Sequence, residues 1–152
     1  MVQINRVPIE FGDAFPHGAF VMSLSPVNDF DASTRERKVQ AFDKDSGMPQ
    51  WVADCLDADP DAREKTFKVK IAAPYQPEMP PVLPGTPFRP VEFEGLKVTA
   101  WVDQQRCTAP KPGTHHICRA KQGVSLNATG LRAPRVGVKP KTATNPGDDK
   151  AA

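Results

Sequence analysis

The chain has 152 residues and a formal net charge of +2, enough length for a single domain with a short tail. Its 17 prolines and 10 glycines exclude a helix-rich architecture, because an internal proline removes a donor and clashes with the preceding turn. No run of about 18 apolar residues occurs, which excludes a helical membrane span. The N-terminal MVQINRVPIEF has no apolar segment behind a basic start, so export by a cleaved signal is not expected and the cytoplasm is the expected compartment.

In chain order, residues 1–18 read as an extended arm, ordered to the extent that Phe11 and Phe15 dock onto the body. Residues 19–24 (AFVMSL) make a first short strand that stops at Ser25-Pro26. Beyond a polar connection over 28–36, the pattern predicts a hairpin. Residues 37–43 (RKVQAFD) alternate, Lys44-Asp45-Ser46-Gly47 supplies turn chemistry with Gly47 in the left-handed region, and residues 50–56 (QWVADCL) return. The DADPD run at 57–61 breaks that strand, and a turn or two of helix is the most that fits between 57 and 65.

Residues 65–72 (KTFKVKIA) carry the strongest period of two. Phe67, Val69 and Ile71 share one face, and Thr66, Lys68 and Lys70 the other. The proline-rich stretch 74–90 predicts an extended crossing loop, read as a stiff connector ahead of a docking motif. Alternation resumes over 91–102, with Gly95 a bulge or bend. Past it, Leu96, Val98, Ala100 and Val102 point one way and Lys97, Thr99 and Trp101 the other. Residues 116–131 are the last ordered piece, with Gly123 a break or sharp bend. The expected fold is all-β: a small closed barrel of five to six strands over 19–133, an arm before it, and a disordered basic tail over 134–152. An open sandwich is the rival architecture.

The small net charge hides an asymmetry. Residues 1–64 hold 6 Lys/Arg against 12 Asp/Glu, whereas residues 65–152 hold 14 against 6. Between Lys97 and Lys141 there are 9 basic residues and a single acid, Asp103. Such a field suits a polyanion, although a solvated basic face has the same composition. Three cysteines, Cys55, Cys107 and Cys118, fit free thiols in a reducing compartment better than a disulfide framework.

The candidate site is the outward basic face. Lys68 and Lys70, Lys97 and Trp101, Arg37 and Lys38, and Arg119 and Lys121 offer cations to phosphates. Trp101 is the leading platform for base stacking, followed by Trp51 and Phe42. Trp101 would otherwise cover the barrel's open end or meet Phe11 and Phe15. Trp51 and Phe42, as hairpin aromatics, would otherwise be core. Cys107, His115, His116 and Cys118, with Cys55, contain enough donors for zinc. Their spacing matches no common zinc module, and adjacent histidines on a strand point to opposite faces, so no metal or other cofactor is expected. The acids Asp54, Asp57, Asp59 and Asp61 read as solvated turn residues, and no nucleophile or phosphate-loop motif is present. The chain reads as a non-enzyme.

The runs DKDSGMPQWVADCLD, FKVKIAAPYQ, PGTPFRPVEFEGLKVTAWV and RAKQGVSLNATGLRAP, spanning about 37–134, resemble OB-fold single-stranded-DNA-binding-like proteins of actinobacterial phages and integrative mobile elements. The resemblance rests on strand order, the DKDSG turn, the Gly95 bend and the closing RAxxGxxxxATGL. It implies an OB-like barrel whose open face, here Lys68, Lys70, Lys97, Trp101, Arg119 and Lys121, binds single-stranded DNA in replication, recombination or transfer. It also implies replication or recombination proteins as partners, and a homo-oligomer. Bacterial proteins of that kind end in an acidic tail with an apolar pair, whereas this chain ends GDDKAA, and Arg135, Lys139 and Lys141 would add phosphate contacts instead. A protein–protein interaction module without nucleic-acid binding, using residues 74–90 or a sheet edge, is the competing function.

Overall fold

A computed structural model describes residues 5–105, 107, 111–113, 115 and 118–135. Among the described residues the regular structure is almost wholly β. Its strands are β1 (Val7–Pro8), β2 (Ala19–Pro26), β3 (Gln50–Asp57), β4 (Thr66–Ala72), β5 (Arg89–Glu94), β6 (Lys97–Asp103), β7 (Lys121–Ala128) and β8 (Gly130–Arg132). They form one curled half-barrel sheet in the order β1-β6-β7-β4-β3-β2-β5-β8. Every pairing is antiparallel except β4 with β7, which run parallel.

The core lies inside the curl and follows the period of two. Val69 and Ile71 of β4, Ala53 and Cys55 of β3, Ala19 and Val21 of β2, and Val91 and Phe93 of β5 are buried, joined by Leu96 and Ala128. A bulge between Val21 and Ser23 sets the extra Met22 outside and keeps Ser23 and Ser25 in register with Asp54 and Val52.

The sheet has eight strands where five or six were expected, for three local reasons. Val7–Pro8 of the arm adds an edge to β6. Gly95, at φ 59°, bends the chain between β5 and β6. Thr129, whose N–H bonds Glu94 O at 2.9 Å, separates β7 from β8. The interruption in the last segment therefore falls at Thr129, and Gly123 lies within β7 without a break.

The arm is also more structured than an extended segment. Phe11–Ala14 form a one-turn helix, α1. Its end places Phe15 in the core, stacked on Phe67 at 4.5 Å, while Phe11 faces Phe93 at 6.0 Å. No helix forms between residues 57 and 65.

The predicted hairpin limb at 37–43 is corrected. It makes only two isolated bridges, Asn28 with Gln40 and Phe42 with Pro49. Val27 takes up the Ala41 N–H at 2.7 Å and the Gln50 carbonyl at 3.0 Å, which would otherwise bond each other, so the ladder stops there. The turn itself is as expected, with Gly47 at φ 70° and its N–H on Asp43 O at 2.8 Å.

Residues 74–88 contain no strand or helix. They are pinned where Arg89 donates to the carbonyl of the buried Pro80 at 2.7 Å and where the Leu83 N–H reaches Phe88 O at 2.8 Å. Of the inward row expected on β6, Leu96 is buried, but Ala100 and Val102 are exposed, because the β6–β7 hairpin runs past the edge of the core. The tail expectation concerns residues that lie, from 136 onward, outside those described. Among the described residues, no helix is long and apolar enough to cross a membrane.

Candidate nucleic-acid interface

Residues directly opposite on paired strands share a face, so the register reports what the outer surface of the sheet presents. One continuous row runs Ser25, Val52, Lys70, Asn127, Lys97 across β2, β3, β4, β7 and β6. A second runs Ser23, Asp54, Lys68. On the β6–β7 hairpin the same face carries Thr99 opposite Ser125, Trp101 opposite Gly123 and Asp103 opposite Lys121. Lys70 and Lys97 both register on Asn127, two strand spacings apart, or roughly 10 Å at the backbone.

The cations differ in commitment. Lys68 pairs with Asp54 at 3.0 Å, and Asp54 also accepts from the Ser23 hydroxyl at 2.8 Å. The Ser23 bond first, and Lys68 second, hold the Asp54 carboxyl below its ordinary range. Lys70 and Lys97 are exposed and pair with no carboxylate among the described residues.

Lys70, Gln50 and Asn127 line a groove of about 430 Å³, continuous with a neighbouring one of about 480 Å³ that adds Phe42, Lys44, Thr99 and Ser125. The groove's far wall is a charge cluster. Arg6 of the arm reaches Asp43 at 2.8 Å and Asp45 at 3.0 Å, and Ser46 donates to Asp43 from both its backbone and its hydroxyl. Asp43 is buried, and the Arg6 hydrogen bond outweighs burial to hold its carboxyl far below the usual carboxylate range. The arm is thereby tied to the 43–46 turn, with Lys70 and Lys97 exposed on the floor beside it.

The aromatic candidates separate. Trp101 is 47% exposed, with its indole lying over Gly123 so closely that a Cβ there would overlap the ring. It does not meet the arm, whose Phe11 and Phe15 pair with Phe93 and Phe67. Phe42 is 60% exposed on the groove rim. Trp51 is half-buried against the core, and its indole N–H donates to Ala73 O at 3.1 Å.

Arg37 and Lys38 are exposed in the 27–49 loop and belong to no strand. Arg119 is exposed just before β7, and Lys121 opens that strand. The structure therefore gathers Lys68, Lys70, Lys97, Trp101 and Lys121 on one face, with Phe42 at its rim, and leaves Trp51 in packing.

Three site residues escaped the sequence reading. Asn127 and Ser125 belong to the alternating Lys121, Gly123, Ser125, Asn127 row, whose period of two was the available signal. Arg6 had none, because its partner Asp43 is 37 positions away.

Of the sulfur and imidazole set, Cys107 and Cys118 come together at 3.5 Å, Cys55 is buried in the core, His115 is exposed, and His116 lies outside the described residues. Among the described residues, no group of three or more His, Cys, Asp or Glu side chains is arranged to hold a metal. No protein-family model, curated protein or solved structure matches the chain.

Proposed function

We propose that the protein is a non-enzymatic, sequence-tolerant single-stranded-DNA-binding protein built on an OB-like barrel, serving replication, recombination or transfer of a phage or mobile element. The observation that carries this reading is the row Lys70, Asn127, Lys97, which lies on the same outer face as the half-exposed Trp101. Phosphates of a single strand need spaced cations, and its bases need aromatic faces.

The topology supports the OB-like part. Joined through Gly95-Leu96, β5 and β6 act as one bent strand, and β7 and β8 act as another through Thr129. Counted so, five strands remain. The first pairs with the second and fourth, the third with the fifth in parallel, and the fourth with the fifth. That order is the one an OB barrel closes on. OB folds bind oligonucleotides on the face of strands two and three, flanked by the loops after strands one and four. Here those strands are β3 and β4, which carry Lys68 and Lys70. The flanking loops carry Arg37, Lys38 and Phe42 on one side and Arg119 on the other.

Self-association belongs to the same reading. Ala100, Val102 and Val124 are exposed on the inward side of the β6–β7 hairpin, and pairing of two copies there would cover them. Sedimentation of the free protein measures it.

The deciding experiment is a fluorescence titration with labelled oligo-dT at several salt concentrations. Binding that weakens steeply with salt, accompanied by tryptophan quenching, supports the reading. Absence of binding at low salt overturns it in favour of an interaction module, for which the exposed Tyr75, Val82 and Leu83 of the proline-rich loop are the observation.

A further inference from the structure

We propose that Cys107 and Cys118 are a thiol-modification site that closes reversibly into an intramolecular disulfide across the base of the β6–β7 connection. Their sulfurs stand 3.5 Å apart although the residues are eleven positions apart in sequence. The hairpin stem produces this proximity. β6 and β7 are paired out to Asp103 and Lys121, and the chain leaves the stem through a turn in which the Cys107 N–H bonds Gln104 O at 2.8 Å. A disulfide needs the sulfurs about 1.5 Å closer, a displacement within reach of side-chain rotation on a surface loop.

Access and reactivity point the same way. Cys118 is exposed and Cys107 is partly so, whereas Cys55 is buried in the core. A backbone hydrogen bond from Ala120, and then the Cys107 contact, lower the pKa of the Cys118 thiol. Burial pushes the Cys55 thiol up to about 12, which leaves it unreactive. Two thiols alone do not complete a zinc tetrahedron, and no third donor joins them among the described residues.

The co-reactant is a low-molecular-weight disulfide such as oxidised glutathione. The Cys118 thiolate attacks one of its sulfurs, forming a mixed disulfide and releasing one glutathione thiolate. Cys107 then gives up its proton and attacks the Cys118 sulfur, expelling the second glutathione thiolate. The protein pair loses two electrons and two protons, and the glutathione disulfide is reduced to two thiols. The modification stands independently of nucleic-acid binding.

The test equilibrates the purified full chain in glutathione buffers of stepped redox ratio, followed by acid quenching, alkylation and peptide mapping. The expected product has lost two hydrogens, links the 107 and 118 peptides within one chain, leaves Cys55 alkylatable, and reverts in reduced glutathione. Cys107→Ser should trap a glutathione adduct on Cys118 that does not resolve. The proposal is overturned by linkage between chains, by persistent adducts on both cysteines of the unaltered protein, by participation of Cys55, or by full retention of three thiols in oxidised glutathione alone.

Discussion

The indole of Trp101 lies across Gly123, its cross-strand partner on the outer face of the β6–β7 hairpin, where any side chain at position 123 would collide with the ring. The glycine is therefore a seat that holds an aromatic flat on the surface while leaving nearly half of it open to solvent. A ring held this way has one face free for stacking and has already lost most of its side-chain freedom, so binding orders little more.

Trp101→Ala should weaken oligo-dT binding by about 5- to 150-fold, corresponding to ~1–3 kcal/mol of stacking. Gly123→Ala should weaken it as well, by displacing the indole without changing any charge. Fluorescence titration of both variants, with thermal melts to show intact folding, is the check, and unchanged affinity in both removes Trp101 from the site.

Lys70→Ala and Lys97→Ala should each lower the slope of log affinity against log salt by roughly 0.7, the value for one phosphate contact on a single strand. Their effects should be uniform across oligonucleotide sequences, since they carry no base readout. Lys68→Ala should change the slope less, because Lys68 already pairs with Asp54.

Asp43 links pH to stability. Its carboxyl is lowered in the folded protein, chiefly by Arg6, so between its folded and unfolded pKa values the unfolded chain binds the extra proton and stability rises with pH. The contribution is complete above the unfolded value of about 4 and is lost as pH falls through the folded one. Asp43→Asn should cost about 1.5–3 kcal/mol at neutral pH and flatten the acid limb of a denaturation profile, leaving the pH 3 stability closer to that of the parent chain. Equal losses at pH 7 and pH 3 would refute the linkage.

Gly95→Ala should be among the most damaging small substitutions. Gly95 sits at φ 59°, and a Cβ there would meet the Thr129 hydroxyl oxygen at 2.6 Å, a group that itself donates to Glu94 O. The left-handed backbone alone costs about 1–2 kcal/mol for a residue with a side chain. With the clash, the expected loss is about 2 kcal/mol or more, read from the midpoint of urea unfolding. Gly18→Ala is the control. It also has positive φ but has nothing within 4 Å of its Cβ, so it should cost less.

The sequence alone determined the strands whose sides differ chemically. Thr66–Ala72 sets Val69 and Ile71 against Lys68 and Lys70, and that contrast reads out both the element and its buried face. The bend at Gly95 and the left-handed Gly47 were equally legible, because glycine in those settings has a local conformational cause.

What depended on distant partners was not legible. Residues 37–43 alternate as a strand does, yet they make only bridges, because Val27 takes the Ala41 N–H and the Gln50 carbonyl that would continue their ladder. Ala100 and Val102 continue an apolar row but are exposed, on the part of the β6–β7 hairpin that lies beyond the pairing of β7 with β4 at Leu126–Ala128 and of β6 with β1 at Lys97 and Val98. Gly123 looked like a break and is a seat for Trp101 instead. The Arg6–Asp43 tie joins residues 37 positions apart, and the row Lys70, Asn127, Lys97 exists only once β7 lies parallel to β4. Periodicity reports which side of a strand faces inward. Which strands become neighbours is decided by the closure of the sheet, and the candidate interface is made of neighbours.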